Sequence, residues 1–285
     1  MTANSPLWLL VNSQSGSFSE SAVKAVEDAF SANGLTVARR ICFPDEDMPT
    51  AGELDAAGVG LLAVFTGDGT LNAAVTGLYG WSGQILVLPG GTMNLLCKRL
   101  HGDDAQAGDI IERVASGVAI AVRPPVARCK AGDALAGLLV GPGTSWAHVR
   151  EAMRDLDIPA ILKGTGEAVG ETAGGIMVRC AEPERGRNDG YPLIEITPSH
   201  RGMQVDAFYA DEAGEYVQQG FAILRRRFRE GPHERLGLLE EARFVSADGS
   251  ALPVLVDGEP GEVETGAIFT VAACEVDLLA THHGY

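Results

Sequence analysis

Gly60-Leu61-Leu62-Ala63-Val64-Phe65 runs without a break into Thr66-Gly67-Asp68-Gly69-Thr70 and on into Leu71 to Tyr79. An apolar run, a glycine-rich turn and an amphipathic stretch are the pattern of a buried strand feeding a helix. The pattern recurs on either side. Leu7-Trp8-Leu9-Leu10-Val11 ends in Asn12-Ser13-Gln14-Ser15-Gly16-Ser17, after which Ser19 caps a helix carrying Ala22, Val23, Val26, Ala29 and Phe30, with Asn33-Gly34 as its stop. Leu35 to Phe43 reads as a strand and Pro44 to Pro49 as a loop, while Ile85-Leu86-Val87-Leu88 ends in Pro89-Gly90-Gly91-Thr92 ahead of a helix from near Asn94. Alternation of this kind predicts βα units around a parallel sheet.

Past Val122 the texture changes. Short β-prone runs, Ala136 to Val140, Gly175 to Cys180, Leu193 to Thr197 and Met203 to Tyr209, are separated by turn residues, and Ala242 to Val245, Leu252 to Val256 and Ala267 to Leu279 follow. Helices are expected over Trp146 to Leu156 and Val217 to Glu230. The reading is an α/β domain over residues 1–122 and a β-sandwich over 123–276, with the boundary near Arg123-Pro124-Pro125 and a tail, about 277–285, that packs back on the first domain.

The 285 residues hold 22 Lys and Arg against 38 Asp and Glu, a net charge of −16, which repels a polyanionic backbone and argues against nucleic acid as a partner. The apolar run Leu7 to Asn12 is too short to span a bilayer and lacks a basic flank, so a cytoplasmic address is expected. Five scattered cysteines without a CxxC pair read as buried thiols, and the histidines show no metal spacing. The 36 glycines are the feature that bears on chemistry.

In an open parallel sheet, ligands bind beyond the carboxyl ends of the strands. Glycines there let the backbone approach an anion, and the amides of a helix N-terminus point at it. Three polar loops, 12–17, 66–70 and 89–94, share that position. Asp68 among them is chemically odd, because a carboxylate beside a phosphate is repulsive unless it organises Mg²⁺ or accepts a proton. Taken alone, Gly-Asp-Gly also reads as a tight turn with Asp68 capping the helix. No GxxxxGK[ST], no GxGxxG after the first strand and no GxSxG occurs.

Asn12-Ser13-Gln14-Ser15-Gly16, Gly67-Asp68-Gly69-Thr70-Leu71-Asn72, Pro89-Gly90-Gly91-Thr92-Met93-Asn94 and Val256-Asp257-Gly258-Glu259, in that order, resemble the motifs of the diacylglycerol kinase catalytic-domain family, which includes bacterial lipid kinases and sphingosine and ceramide kinases. The resemblance implies an ATP-binding α/β domain, a β-sandwich for the lipid acceptor and an active site in the cleft between them. It implies that Asn12, Ser13, Ser15 and Gly16 contact nucleotide, that Thr66, Gly67, Gly69 and Thr70 cradle phosphates, and that Gly91, Thr92 and Asn94 line the same site. Asp68 is then the general base or an organiser of Mg²⁺. Asp257 and Glu259 reach the phosphates, Asp257 as a second metal or proton-accepting carboxylate, and the choice of base between Asp68 and Asp257 stays open. Alone, Val256 to Glu259 reads as a hairpin turn.

Thr66 stands where the family usually has Gly, Ser13 where it has Pro, Ala73 where it has Glu and Leu95 where it commonly has Asp, while Leu139 to Thr144 replaces an asparagine-bearing glycine stretch. The expectation is an ATP- and Mg²⁺-dependent kinase acting on the hydroxyl of diacylglycerol or a related lipid. An NAD kinase-like enzyme and a nucleotide- or lipid-binding regulator without turnover are the alternatives. Arg225-Arg226-Arg227-Phe228-Arg229 reads first as a solvated helix with Phe221, Leu224 and Phe228 packed inward, and second as a patch for anionic headgroups. Peripheral contact at the inner membrane face and homodimerisation are left open.

Overall fold

A computed structural model of the chain describes residues 6–15, 18–145, 177–208 and 233–282. The helices expected over Trp146 to Leu156 and Val217 to Glu230, the arginine cluster, and Gly16 lie outside the described residues. The chain divides into two units, one of residues 1–124 and 273–285, the other of residues 125–272.

The first unit runs β1 (Leu7–Asn12), α1 (Glu20–Ala32), β2 (Val37–Phe43), α2 (Ala51–Ala56), β3 (Leu61–Thr66), α3 (Asp68–Gly77), β4 (Gln84–Pro89), α4 (Leu95–His101), α5 (Ala107–Ala115) and β5 (Ile120–Val122). Strands β2, β1, β3 and β4 lie side by side and parallel. Leu9, Leu10, Leu62, Ala63, Val64, Leu86 and Val87 are fully buried, so successive side chains on opposite faces are both covered, as an all-parallel array requires. Helix α1 turns Val23, Val26 and Phe30 inward, and Ser19 Oγ accepts the Ala22 N–H at 3.1 Å as its cap. Helix α2 lies where the sequence reading left the chain without an element. Its Thr50/Glu53 capping box is present in the sequence, but six residues are too few to show a period.

The helix read as starting at Leu71 begins instead at Asp68, and Gly67 is its N-cap. What looks in sequence like a loop is the first turn of α3, because β3 extends to Thr66 and leaves a single residue between strand and helix.

The second unit contains β6 (Pro125–Cys129), β7 (Gly132–Ala134), β8 (Leu138–Val140), a 3₁₀ turn (Pro142–Ser145), β9 (Val178–Glu182), β10 (Leu193–Ser199), β11 (Gly202–Phe208), β12 (His233–Leu239), β13 (Glu241–Ser246), β14 (Leu252–Val256), β15 (Glu259–Val263) and β16 (Ile268–Ala273). One sheet has the order β12-β11-β10-β8-β14-β15 and the other β7-β6-β16-β13-β9. Ile194 and Ile196 oppose Ala207 and Val205 across an antiparallel pair, and these four join Ala242, Phe244 and Phe269 of the second sheet in one core. Phe244 and Phe269 meet edge to face at 5.1 Å, a geometry worth roughly 1 kcal/mol beyond burial.

The strand-like run Ala267 to Leu279 is broken. Its first part is β16, and its last part is β17 (Asp277–Ala280), which inserts into the first unit's sheet between β4, to which it is parallel, and β5, to which it is antiparallel. Past that strand, the Thr281 N–H bonds the Leu100 carbonyl at 2.9 Å, and Thr281 Oγ1 sits 2.9 Å from Nδ1 of His101.

His101 is buried, and its Nε2 meets no partner at hydrogen-bond geometry among the described residues. Burial is the main reason its imidazole is pulled down to about 4; the Val87 carbonyl opposes the shift and the Arg113 charge adds to it. The folded state therefore refuses a proton that the unfolded chain takes up near pH 6.5. Stability is lost as the pH falls below that value and continues to fall until about 4, by roughly 3 kcal/mol in all. Urea unfolding between pH 7 and 4.5 should show this slope, and His101→Leu should flatten it. Equal slopes in the two proteins would remove His101 as its cause.

Candidate functional site

Because β1 to β4 are parallel, the segments that follow them leave the sheet at one edge, and side chains tie them together there. Asn12 Nδ2 donates to Thr70 Oγ1 at 2.7 Å, joining the turn after β1 to the first turn of α3, while Asn12 Oδ1 accepts the Gln14 N–H at 2.8 Å. Ser15 Oγ donates to the Gly90 carbonyl at 3.4 Å. Ser13 Oγ reaches Asp45 Oδ2 at 3.1 Å, and the Ser13 N–H bonds the Phe43 carbonyl at 2.9 Å. The segment after β2 thus joins the cluster. Asp45 was not among the sequence candidates, although in a parallel sheet the end of β2 faces the same way as its neighbours.

The turns after β3 and β4 touch backbone to backbone. A Cβ on Gly91 would lie 2.6 Å from Gly67 Cα, and one on Gly90 would lie 2.4 Å from Phe65 C and Thr66 N. Asn94 fixes the second turn from within: with φ of 53°, its Oδ1 accepts the Gly91 N–H and its Nδ2 donates to the Gly91 carbonyl, both at 2.8 Å. Asp68 bridges the two turns. It lies in the first turn of α3, yet its Oδ1 accepts the Leu95 N–H at 3.0 Å, the first amide of α4. The carboxylate therefore caps the neighbouring helix, and the N-cap of its own helix, Gly67, offers no side-chain hydrogen bond.

Thr66 is buried, with Oγ1 directed to the Gly67 carbonyl at 3.2 Å. Gly67, Asp68, Gly69 and Thr70 are half-buried, and Thr92 is exposed in the turn before Asn94. One turn into α4, Cys97 is buried, and that burial, with a smaller push from Asp68, raises its thiol to about 12, so it remains a thiol. Among the described residues no group of three or more His, Cys, Asp or Glu side chains is placed to hold a metal ion.

Asp257 and Glu259 belong to the second unit. Val256 pairs with Glu259, so Asp257 and Gly258 form a two-residue hairpin turn, and their φ values of 49° and 97° are those of a type I′ turn. Asp257 Oδ2 accepts the Leu135 N–H at 2.7 Å, and Oδ1 accepts those of Ala136 and Gly137 at 2.9 Å each. Glu259 is exposed at the start of β15. The structure thus gathers Asn12, Ser13, Ser15, Thr66, Gly67, Asp68, Thr70, Gly91 and Asn94 in one hydrogen-bonded cluster of the first unit, while the Asp257 carboxylate is engaged by the backbone of its own unit.

The arrangement can take an anion. The amides at the start of α3 have no side-chain cap, and the close approach of two glycine turns leaves the backbone unshielded by Cβ atoms.

Residues 6–123 match the family described as diacylglycerol kinase catalytic domain. No curated protein matches the chain. Among solved structures it is similar to a diacylglycerol kinase from Bacillus anthracis str. Sterne, with 13% identity, 96% of each chain covered and a TM-score of 0.59. It is also similar to a candidate diacylglycerol kinase from the same organism, with 14% identity, 98% of each chain covered and a TM-score of 0.59. At such identities the likeness is one of fold.

The glycines of the cluster differ in what they tolerate. Gly91→Ala and Gly90→Ala should destabilise the protein by about 1–3 kcal/mol, since backbone and not a flexible side chain must give way. Gly67→Ala, whose Cβ would meet only Gly91 Cα at 3.8 Å, should fold normally. Thermal melts of the three variants test the contrast, and equal stability of all three would remove the tight approach of the two turns.

Proposed function

We propose that this chain, whose residues 6–123 match the diacylglycerol kinase catalytic domain family, transfers the γ-phosphate of ATP to a hydroxyl of diacylglycerol or a related lipid. The observation that carries the reading is the uncapped N-terminus of α3, laid against the glycine turn after β4 and stapled to it through Asp68 and Leu95. The first-turn amides of α3 bind the phosphates, beside the close-packed turn of Gly90 and Gly91. Asn12 and Ser15 hold the turn after β1 against both and shape the nucleotide side of the site.

Asp68, the carboxylate in the first turn of α3, takes the proton of the acceptor hydroxyl. As the lipid oxygen bonds to the γ-phosphorus, the bond from that phosphorus to the bridging oxygen breaks, and ADP leaves. The hydrogen bond from Leu95 orients the carboxylate for this task. Mg²⁺ bound with the triphosphate supplies charge neutralisation. That ion would be held chiefly by phosphate oxygens and water, as is usual for Mg²⁺, with Asp68 kept for the proton.

Transfer of labelled phosphate from ATP to a panel of diacylglycerol, monoacylglycerol, sphingoid and ceramide acceptors tests the reading. A labelled glycerolipid is expected. Binding of ATP with no consumption across the panel, or phosphorylation of NAD alone, would overturn it. Asp68→Asn keeps an oxygen for the Leu95 N–H, so the fold should survive while turnover drops by roughly 10²–10⁴, the usual worth of a positioned acid or base. A well-folded and fully active Asp68→Asn protein would take Asp68 out of the mechanism.

A further inference from the structure

Leu135 to Gly137 is the link by which the chain leaves one sheet of the second unit for the other: β7 before it lies beside β6, and β8 after it lies between β10 and β14. Leu135 and Ala136 are buried, and buried amides between strands need acceptors that no ladder supplies. The Asp257 carboxylate meets three successive N–H groups there, those of Leu135, Ala136 and Gly137. Its own N–H bonds the Gly137 carbonyl at 3.0 Å and carries the β8–β14 pairing one step past Val256 and Leu138. The type I′ turn is what points the side chain this way, since Asp257 at φ 49° and Gly258 at φ 97° reverse the chain within two residues.

We propose that Asp257 is a positioning residue, an anionic clamp on the crossing between the two sheets, and is neither the proton acceptor nor a metal ligand of the phosphoryl transfer. Amides at 2.7–2.9 Å fill three of the roughly four acceptor sites of this carboxylate, so a cation or a proton there competes with bonds that the buried amides of the crossing need. The part of this that concerns the reaction rests on the kinase reading. The clamp itself does not.

Amide hydrogen exchange on the full chain is the test. In the wild-type protein the amides of Leu135, Ala136 and Gly137 should exchange slowly although they lie outside any strand; exchange at open-chain rates would overturn the proposal without any variant. Asp257→Asn retains a residue suited to positive φ and one acceptor oxygen, and should speed exchange at these amides roughly ten- to hundredfold, the range for hydrogen bonds to a charged group. Should that variant fail to fold, Asp257→Gly, which also suits the turn, takes its place. In phosphate transfer, Asp257→Asn should lose no more than about tenfold and keep the wild-type pH profile, whereas loss of a base removes the acidic limb and 10²–10⁴ in rate. A vanished acidic limb would overturn the assignment whatever the exchange shows. A wild-type protein that transfers no phosphate would sink the kinase reading and leave the exchange result to decide the clamp.

Discussion

The cluster in the first unit hangs on the approach of Gly91 to Gly67. A Cβ at position 91 would lie 2.6 Å from the Gly67 Cα, so the turns after β3 and β4 are in backbone contact and no side chain fits at position 91. The rest of the cluster depends on this. Only with the two turns abutting can Asp68, at the start of α3, reach the Leu95 amide at the start of α4, and only then does Ser15 span to the Gly90 carbonyl. Asn94 keeps the second turn in the shape the approach demands, holding both the N–H and the carbonyl of Gly91 from a left-handed backbone that asparagine tolerates well.

This explains a choice of residues that would be wasteful in an ordinary turn. Hydroxyl and amide side chains at 12, 13, 15, 70 and 94 are engaged with one another or with backbone, and so set the frame around the helix N-terminus. A rigid rim around a helix N-terminus is a better anion receptor than the same amides on a loose loop, since the entropy of ordering is met in folding and not at binding.

The first unit was legible in sequence wherever the chain is buried on both faces. Runs such as Leu7 to Val11, Gly60 to Phe65 and Ile85 to Leu88 have no other stable place, and the Ser19 cap and Asn33-Gly34 stop mark α1. The candidate residues of the first unit were legible as types at strand ends. What escaped was local or long-range by nature. Helix α2 is too short to show a period, and the start of α3 was hidden because glycine and aspartate are poor helix formers that sit well in a first turn. Asp45 is invisible without knowing that Ser13 reaches it. In Val256-Asp257-Gly258-Glu259 the hairpin shows in the Asp-Gly pair, yet nothing in the motif tells that the carboxylate folds onto amides 120 residues earlier in the chain.

The placement of β17 has a consequence for biosynthesis. The sheet of the first unit needs residues 277–280 as its fifth strand, between β4 and β5, and His101 gains its buried hydroxyl neighbour only from Thr281. During vectorial translation residues 7–122 leave the ribosome with one edge of β4 unpaired and β5 with nothing to pair against, and stay so until all of the second unit has been made. An unpaired strand edge is an invitation to wrong partners. The short length of β5 limits that exposure in the nascent chain, and residues 277–280 act as the closing staple of a sheet begun far earlier in the chain.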